Sequence, residues 1–195
     1  MTSQRKPSVA VVMGPFGSGT SALAAAAGAL GANAHPPFAK VVDPKTPISG
    51  ESLELRRIVT PAYDPEKVCR KDLPPWFIPR LRLWAGPGLS VAKMPALAFF
   101  VPELCEAWEP YFLRLRRDHE AIEATRLRRG WPTEYGAHGA KRIDAELDLA
   151  LHGKAVLEVQ FDGLRADPEG VGASIANFLD VAPNPEAVRQ SVRSR

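Results

Sequence analysis

The stretch from Gly14 to Ser21 reads GPFGSGTS, three glycines and three hydroxyls in eight residues. It follows the run SVAVVM and precedes the alanine-rich ALAAAAGAL. A strand that passes through glycines into a helix start can hold an anion. The first amides of the helix lack internal partners, and the helix dipole adds partial positive charge there. Glycines at Gly14, Gly17 and Gly19 let the backbone approach a phosphate closely, while Ser18, Thr20 and Ser21 add donors. Phe16 lies inside the same loop. The loop that binds ATP or GTP has the pattern GxxxxGK[ST]. Here Thr20 stands where the lysine belongs, so a magnesium-bound nucleoside triphosphate is disfavoured. The alternative is a plain tight turn, for which the hydroxyl cluster would be unnecessary.

The rest of the chain is consistent with a small anionic ligand. Its 195 residues suit one domain spanning 1–195, with 45% apolar and 24% charged residues. A net charge of +3 does not call for nucleic acid, and no long basic stripe carries interleaved aromatics. Cys69 and Cys105 have neither metal spacing nor a disulfide framework, which points to a reducing compartment. The start MTSQRKPSVAVV is a poor signal peptide, and no apolar run is long enough to span a membrane. The expectation is a soluble cytoplasmic protein without nucleic-acid or membrane partners. No His, Cys, Asp or Glu cluster has metal spacing, so no metal is expected.

The elements that must position the loop follow from periodicity. Strands are expected over 8–13, 88–93, 111–116 and 155–161. Helices are expected over 19–30, 51–59, 64–71, 74–85, 96–108, 118–129, 137–151 and 167–179. Asp118 is the expected N-cap of its helix, and Pro168 the first residue of another. Residues 31–50, with Asp43 among them, and 130–136 read as loops, and the tail from 183 as a short helix or a frayed end. Strands alternating with helices predict an α/β fold of three layers, a mainly parallel sheet flanked by helices. In such sheets ligands bind at the carboxyl ends of the strands.

SGTSALA, residues 18–24, resembles the phosphosulfate loop of sulfotransferases that use 3′-phosphoadenosine 5′-phosphosulfate (PAPS), in particular the bacterial branch with an Arg-Ser-Gly-Thr-Ser loop. LRLRRDHEAIEATRLRRG, residues 113–130, is similar to the family's strand ending in Arg-Asp-Pro with a serine eight residues after the arginine. VLEVQFDGLRADPEGVGASIANFLD, residues 156–180, is similar to its closing strand and helix, with Phe161 in place of a tyrosine. SVAKMPALAFFVPEL, residues 90–104, keeps the lysine and proline of a Lys-Asp-Pro-Arg-Leu segment as Lys93 and Pro95.

This resemblance implies a P-loop-like fold, PAPS as sulfonate donor and adenosine 3′,5′-bisphosphate as product. It implies that the loop Gly17 to Ser21 holds the phosphate next to the sulfonate, and that Arg117 and Thr125 grip the nucleotide 3′-phosphate. A forked guanidinium and a hydroxyl suit that task. Arg126, Arg128 and Arg129 read as a solvated helix face. Gly17 replaces the family's loop cation, a role Lys93 could take, and a lysine or arginine placed at 17 would be expected to restore it. A general base is also needed. Glu51, then Glu54, are nominated by a loosely similar segment, PISGESLELRRI, and His35 by following the first helix. His119, His138 and His152 read as surface residues. The acceptor would be a small molecule or glycan, in a pocket built from residues 35–85 in which Trp76, Phe77 and Trp84 could take part. Two alternatives stay open: a nucleotide-binding or interaction protein that has lost the reaction, and a nucleotide or small-molecule kinase.

Overall fold

The computed structural model describes residues 6–40 and 48–193. Residues 41–47 of the expected 31–50 loop, Asp43 included, lie outside the described residues. The first strand, β1, is Ser8–Met13, and from Val9 onward every residue is fully buried. Helix α1 (Thr20–Ala29) follows the glycine loop, and α2 (Leu53–Val59) comes next. Short strands β2 (Tyr63–Asp64) and β3 (Cys69–Arg70) pair antiparallel. Then come α3 (Phe77–Ala85), β4 (Ser90–Lys93), a 3-10 segment Pro95–Phe100, α4 (Val101–Ala107) and β5 (Glu109–Arg116). The chain continues with α5 (His119–Arg129), a 3-10 turn Thr133–Tyr135, α6 (Ala137–Ala150), β6 (Val156–Gln160), α7 (Phe161–Ala166), α8 (Pro168–Leu179) and α9 (Pro185–Arg193).

The main sheet has the order β4-β1-β5-β6, and every pairing in it is parallel. Strand alternation divides the core in two. Val9, Val11 and Met13 face Phe100, Trp108, Ile143 and Leu147 on one side. Ala10 and Val12 face α1, α8 and α9 through Leu23, Ile175 and Val188 on the other. The α/β three-layer architecture expected from the sequence is therefore the one observed. Among the described residues, no helix is long and apolar enough to cross a membrane.

Several local expectations are corrected. Residues 64–71 form a hairpin instead of a helix. The Asp64 carboxylate accepts the amides of Glu66 and Lys67 at 3.0 and 3.1 Å, which closes a turn at the end of β2. Val68 then takes a left-handed backbone, φ 48°, which a helix cannot accommodate. The expected 96–108 helix begins as a 3-10 segment and becomes α-helical at Val101, with Pro102 in its first turn. Phe161 opens α7 and does not close β6. The tail helix α9 buries Val188 and Val192 against the α1 and α8 layer. Asp118 and Pro168 take their expected places, and the Asp118 carboxylate accepts the Ala121 amide at 3.0 Å.

The carboxyl end of β5 is held by an ion network. Arg114 is buried and donates to the Asp148 carboxylate at 2.6 Å and to the Asp144 carbonyl at 3.0 Å. Arg116 donates to Asp148 and Glu158 at 2.9 and 3.0 Å, and the His119 ring lies 2.8 Å from the Asp144 carboxylate. His119 is thus part of this network, whereas His138 and His152 are exposed as expected. The network ties β5 to α6 and β6, so it sets where the residue after β5 stands. The hydrogen bond from Arg114 holds the Asp148 carboxyl below the usual range, against an opposing effect of burial. A depressed carboxyl contributes stability above its unfolded value of about 3.9 and loses that contribution as pH falls through the folded value. Asp148→Asn should therefore lose less stability than the wild type on acidification below about pH 4, in chemical denaturation across a pH series. At neutral pH its cost should stay within about 1 kcal/mol, because Asp148 is 58% exposed. Identical acid profiles for the two proteins would contradict this account.

Candidate functional site

Parallel pairing brings the carboxyl ends of β4, β1 and β5 side by side, so Lys93, the glycine loop and Arg117 open onto one cleft. The cleft has a volume of about 1130 Å³. Gly17 (φ 77°) and Gly19 (φ 99°) both take left-handed backbone, and Gly19 is the N-cap of α1 without any side-chain cap. A side chain at Gly19 would run into the Phe161 ring, so the position accepts glycine alone. Among the described residues, none accepts a hydrogen bond from the amides of Gly19, Thr20 or Ser21. The first turn of α1 holds no acidic residue. Together these features leave unpaired amides and the positive end of a helix facing the cleft.

The loop side chains divide. Thr20 and Ser21 line the cleft, with the Ser21 hydroxyl donating to the Ser49 carbonyl at 2.7 Å. Ser18 is fully buried beneath the loop, its amide donating to the Pro15 carbonyl at 3.2 Å, and is not part of the lining. Gly14 is likewise behind the cleft surface. Phe16 lines the cleft and stacks on Tyr135, with ring centroids 4.3 Å apart.

The structure joins Arg117 and Thr125. One guanidinium nitrogen of Arg117 donates to the Gly17 carbonyl at 2.6 Å and to Thr125 Oγ1 at 3.3 Å. Thr125 Oγ1 in turn donates to the Ala121 carbonyl at 3.0 Å. The guanidinium lies 4.3 Å from the centre of the Phe161 ring. Phe161 therefore forms part of the site, although its sequence context reads as scaffold. Its place at the carboxyl end of a parallel strand is the signal that could have found it. Burial lowers the Arg117 pKa, Asp162 opposes this, and Arg128, Arg129 and Arg165 reinforce it. The fork is tied to the loop at one nitrogen, and the residue also lines the cleft.

At the other end of the cleft, Lys93 and Glu51 meet. They are 42 residues apart in sequence and 2.8 Å apart in space. The Lys93 side chain is 7% exposed and that of Glu51 17%. Arg56 approaches the second oxygen of Glu51 at 4.0 Å. Tyr135 interacts electrostatically with Arg56 and Glu51, and burial raises its phenol pKa, so it remains protonated. Of the three nominated bases, Glu51 alone lines the cleft. Glu54 is exposed on α2 away from it. His35 lies against the Trp84 ring and 2.9 Å from the Ser90 hydroxyl, and burial lowers its pKa. The proposed aromatic pocket is also corrected. Phe77 and Trp84 are buried in the core, and Trp76 is outside the lining.

Among the described residues, the lining carries Lys40, Arg56, Lys93, Arg117, Arg128, Arg129 and Arg165 against one carboxylate, Glu51. Such a cleft attracts anions far more than a net charge of +3 suggests. Arg128, exposed as expected, and Arg129 thus also line the cleft, and Arg129 lies over Trp131 at 4.4 Å. Arg126 is a clamp. It donates to Glu123 at 2.7 Å and to the Trp131 carbonyl at 2.9 Å, while Glu123 accepts the Ala137 amide at 2.9 Å. This fixes the segment that carries Trp131 and Tyr135 to the cleft wall. Among the described residues, no group of His, Cys, Asp or Glu could hold a metal ion.

A parallel sheet, a glycine loop that opens a helix at its carboxyl edge, and cations gathered there define an α/β fold with a positively charged cleft. Among solved structures, the chain is similar to the sulfotransferase STF1 from Mycobacterium tuberculosis H37Rv, with a TM-score of 0.67 and 14% identity over 97% of this chain and 71% of that one. It is also similar to a sulfotransferase from Alicyclobacillus acidocaldarius, with a TM-score of 0.48 and 15% identity over 94% and 85% of the two chains. The first likeness shows that the chain has a sulfotransferase fold. No family model and no curated protein matches the sequence.

The backbone at Gly17 revises the expectation that a cation could be restored there. A Cβ at Gly17 would stand 3.3 Å from Thr125 Cγ2 on a left-handed backbone. Gly17→Ala and Gly17→Lys should both destabilise the protein by about 1–2 kcal/mol, the left-handed penalty for a side chain. Thermal and chemical denaturation of both variants checks this. An unchanged midpoint for either would show that the loop backbone is free to relax.

Proposed function

We propose that the protein transfers a sulfonate group from PAPS to a hydroxyl or amine of a small-molecule or glycan acceptor. The observation that carries this reading is the junction of Arg117, Thr125 and the Gly17 carbonyl beside the open amides of α1. The residues fit the donor. The amides of Gly19, Thr20 and Ser21 and the Thr20 hydroxyl suit the phosphate next to the sulfonate, and Arg117, Thr125 and their arginine neighbours suit a 3′-phosphate. PAPS when bound supplies an already activated sulfonate, whose transfer leaves adenosine 3′,5′-bisphosphate and asks nothing of a metal.

The ion pair of Lys93 and Glu51 then has two tasks in this reading. Glu51 takes the acceptor proton, and Lys93 turns from the neutralised carboxyl toward the negative charge that develops on the departing oxygen. Lys93 would stand in for the absent loop cation. A second reading, nucleotide binding without transfer, is favoured by the left-handed Gly17 backbone, which strains any side chain that would carry that cation in the loop. A kinase reading needs magnesium-bound ATP to bind, against the Thr20 substitution.

Adenosine 3′,5′-bisphosphate should raise the thermal midpoint more than adenosine 5′-monophosphate or magnesium-bound ATP. Arg117→Ala should weaken bisphosphate binding by about 1.5–3 kcal/mol, the range for a hydrogen bond to a charged group. Equal shifts from all three nucleotides would remove the 3′-phosphate assignment. With PAPS and a panel of hydroxyl and amine acceptors, Lys93→Ala should lower kcat while bisphosphate affinity is retained, because a transition-state cation leaves ground-state binding unchanged. Bisphosphate binding without turnover of any acceptor would select the second reading.

A further inference from the structure

The lining cations fall into two groups on different elements. Arg117, Arg128, Arg129 and Arg165 stand at β5, α5 and α7, around the glycine loop. Lys40, Arg56 and Lys93 stand around Glu51 at the other end. Ala39 donates its amide to the Glu51 carbonyl at 2.8 Å, which sets the neighbouring Lys40 on the same rim. Among the described residues, the second group holds three cations against one carboxylate. Within it, Lys93 takes Glu51 Oε1 at 2.8 Å, whereas Arg56 reaches Oε2 only at 4.0 Å, beyond hydrogen-bond range. The Arg56 side chain is 45% exposed on the last turn of α2, so its planar fork can turn to an incoming ligand.

An apolar wall stands beside this surplus. Phe16 stacks on Tyr135 at 4.3 Å, and Trp131 meets the Tyr135 ring edge-on at 6.1 Å. All three line the cleft, and the Glu123–Arg126 clamp fixes the segment that carries two of them. A forked cation next to a flat ring surface recognises a molecule with one anionic group and one flat or apolar face. The fork of Arg56 offers an anionic acceptor a charge-assisted contact that a neutral one cannot make.

We infer that the acceptor of this site is an anion, a hydroxyl compound that also bears a carboxylate or similar group, bound by Arg56 with Lys40 at the rim and laid against the wall of Phe16, Tyr135 and Trp131. This rests on the sulfonate-transfer reading. It assigns Arg56 as the specificity-determining residue and leaves proton removal to Glu51. The anionic group anchors one end of the acceptor, and its hydroxyl is turned toward Glu51 and Lys93.

The test compares matched acceptors that differ in charge: 4-hydroxyphenylacetate against 4-hydroxyphenylacetamide, and methyl glucuronide against methyl glucoside. Affinity for the full chain saturated with adenosine 3′,5′-bisphosphate is measured by calorimetry, and kcat/KM is measured with PAPS. In at least one pair the carboxylate member should be preferred by about ten-fold or more, the size of one charge-assisted contact. Arg56→Gln should reduce that preference to near parity through KM, and Arg56→Lys should keep part of it. The thermal shift caused by the bisphosphate should stay unchanged in both variants. Parity in every wild-type pair, or no acceptor binding at all to the bisphosphate complex, overturns the inference while leaving donor binding intact. An equal fall in kcat for charged and neutral acceptors in Arg56→Gln also overturns it, because Arg56 would then act on Glu51. Failure of the bisphosphate itself to bind would instead strike the sulfonate-transfer reading.

Discussion

β1 has hydrogen-bonded neighbours along both edges and packed side chains on both faces, and the site depends on that burial. A strand enclosed on all sides can release its chain only at its ends. At the carboxyl end the chain must turn at once into α1, and β4 and β5 deliver their own ends on either side. Lys93, the last residue of β4, pairs in register with Val12, whereas β5 continues past the Met13–Arg114 pair to Arg116, so Arg117 stands beyond the start of the loop. Small residues are required on the α1 side, where the alanines of the helix pack directly on Ala10 and Val12. The alanine-rich sequence after the loop is thus a packing demand as much as a helix signal.

The hydrogen bond from Arg117 to the Gly17 carbonyl joins the ends of β1 and β5 across the cleft floor. It gives a partly buried guanidinium an acceptor and holds a left-handed turn that would otherwise be free to vary. Phe161 completes the same junction, touching the Gly19 backbone on one side and the guanidinium on the other. Four arginines close enough to depress the pKa of one of them repel each other. An anion with more than one charge offsets that repulsion, which is the electrostatic counterpart of the open amides at α1.

Much of this was legible in the sequence, for identifiable reasons. A β-branched run that ends in glycines and continues into alanines admits little besides strand, turn and helix, so β1, the loop and α1 could be placed from local chemistry. The eight-residue spacing of Arg117 and Thr125 is also local. It spans a strand end and two turns of one helix, and the two side chains meet as expected. Alternation of strands and long helices was enough for a parallel sheet, because the crossover lengths permit nothing else.

What the tertiary structure decided are the meetings between segments distant in sequence and the local choices that depend on a neighbour. The turn at Asp64 prevails over a helix because Val68 takes a left-handed backbone and the next strand finds a partner. Arg128 and Arg129 look like a solvated face in one dimension, since periodicity cannot say whether a polar face meets water or a cleft. Glu54 and His35 carry the right chemistry for a base, but the rotation of α2 and the edge position of His35 keep them off the lining. Glu51, Arg56 and Lys93 come together because α2 and the end of β4 share one rim. The sequence by itself determined the strands of the main sheet, most of the helices and the strand–glycine loop–helix junction, since those rest on contacts within a few residues. Which carboxylate, which cations and which rings face the loop was decided by packing, because side chains 42 residues apart acquire a mutual distance only when the core between them closes.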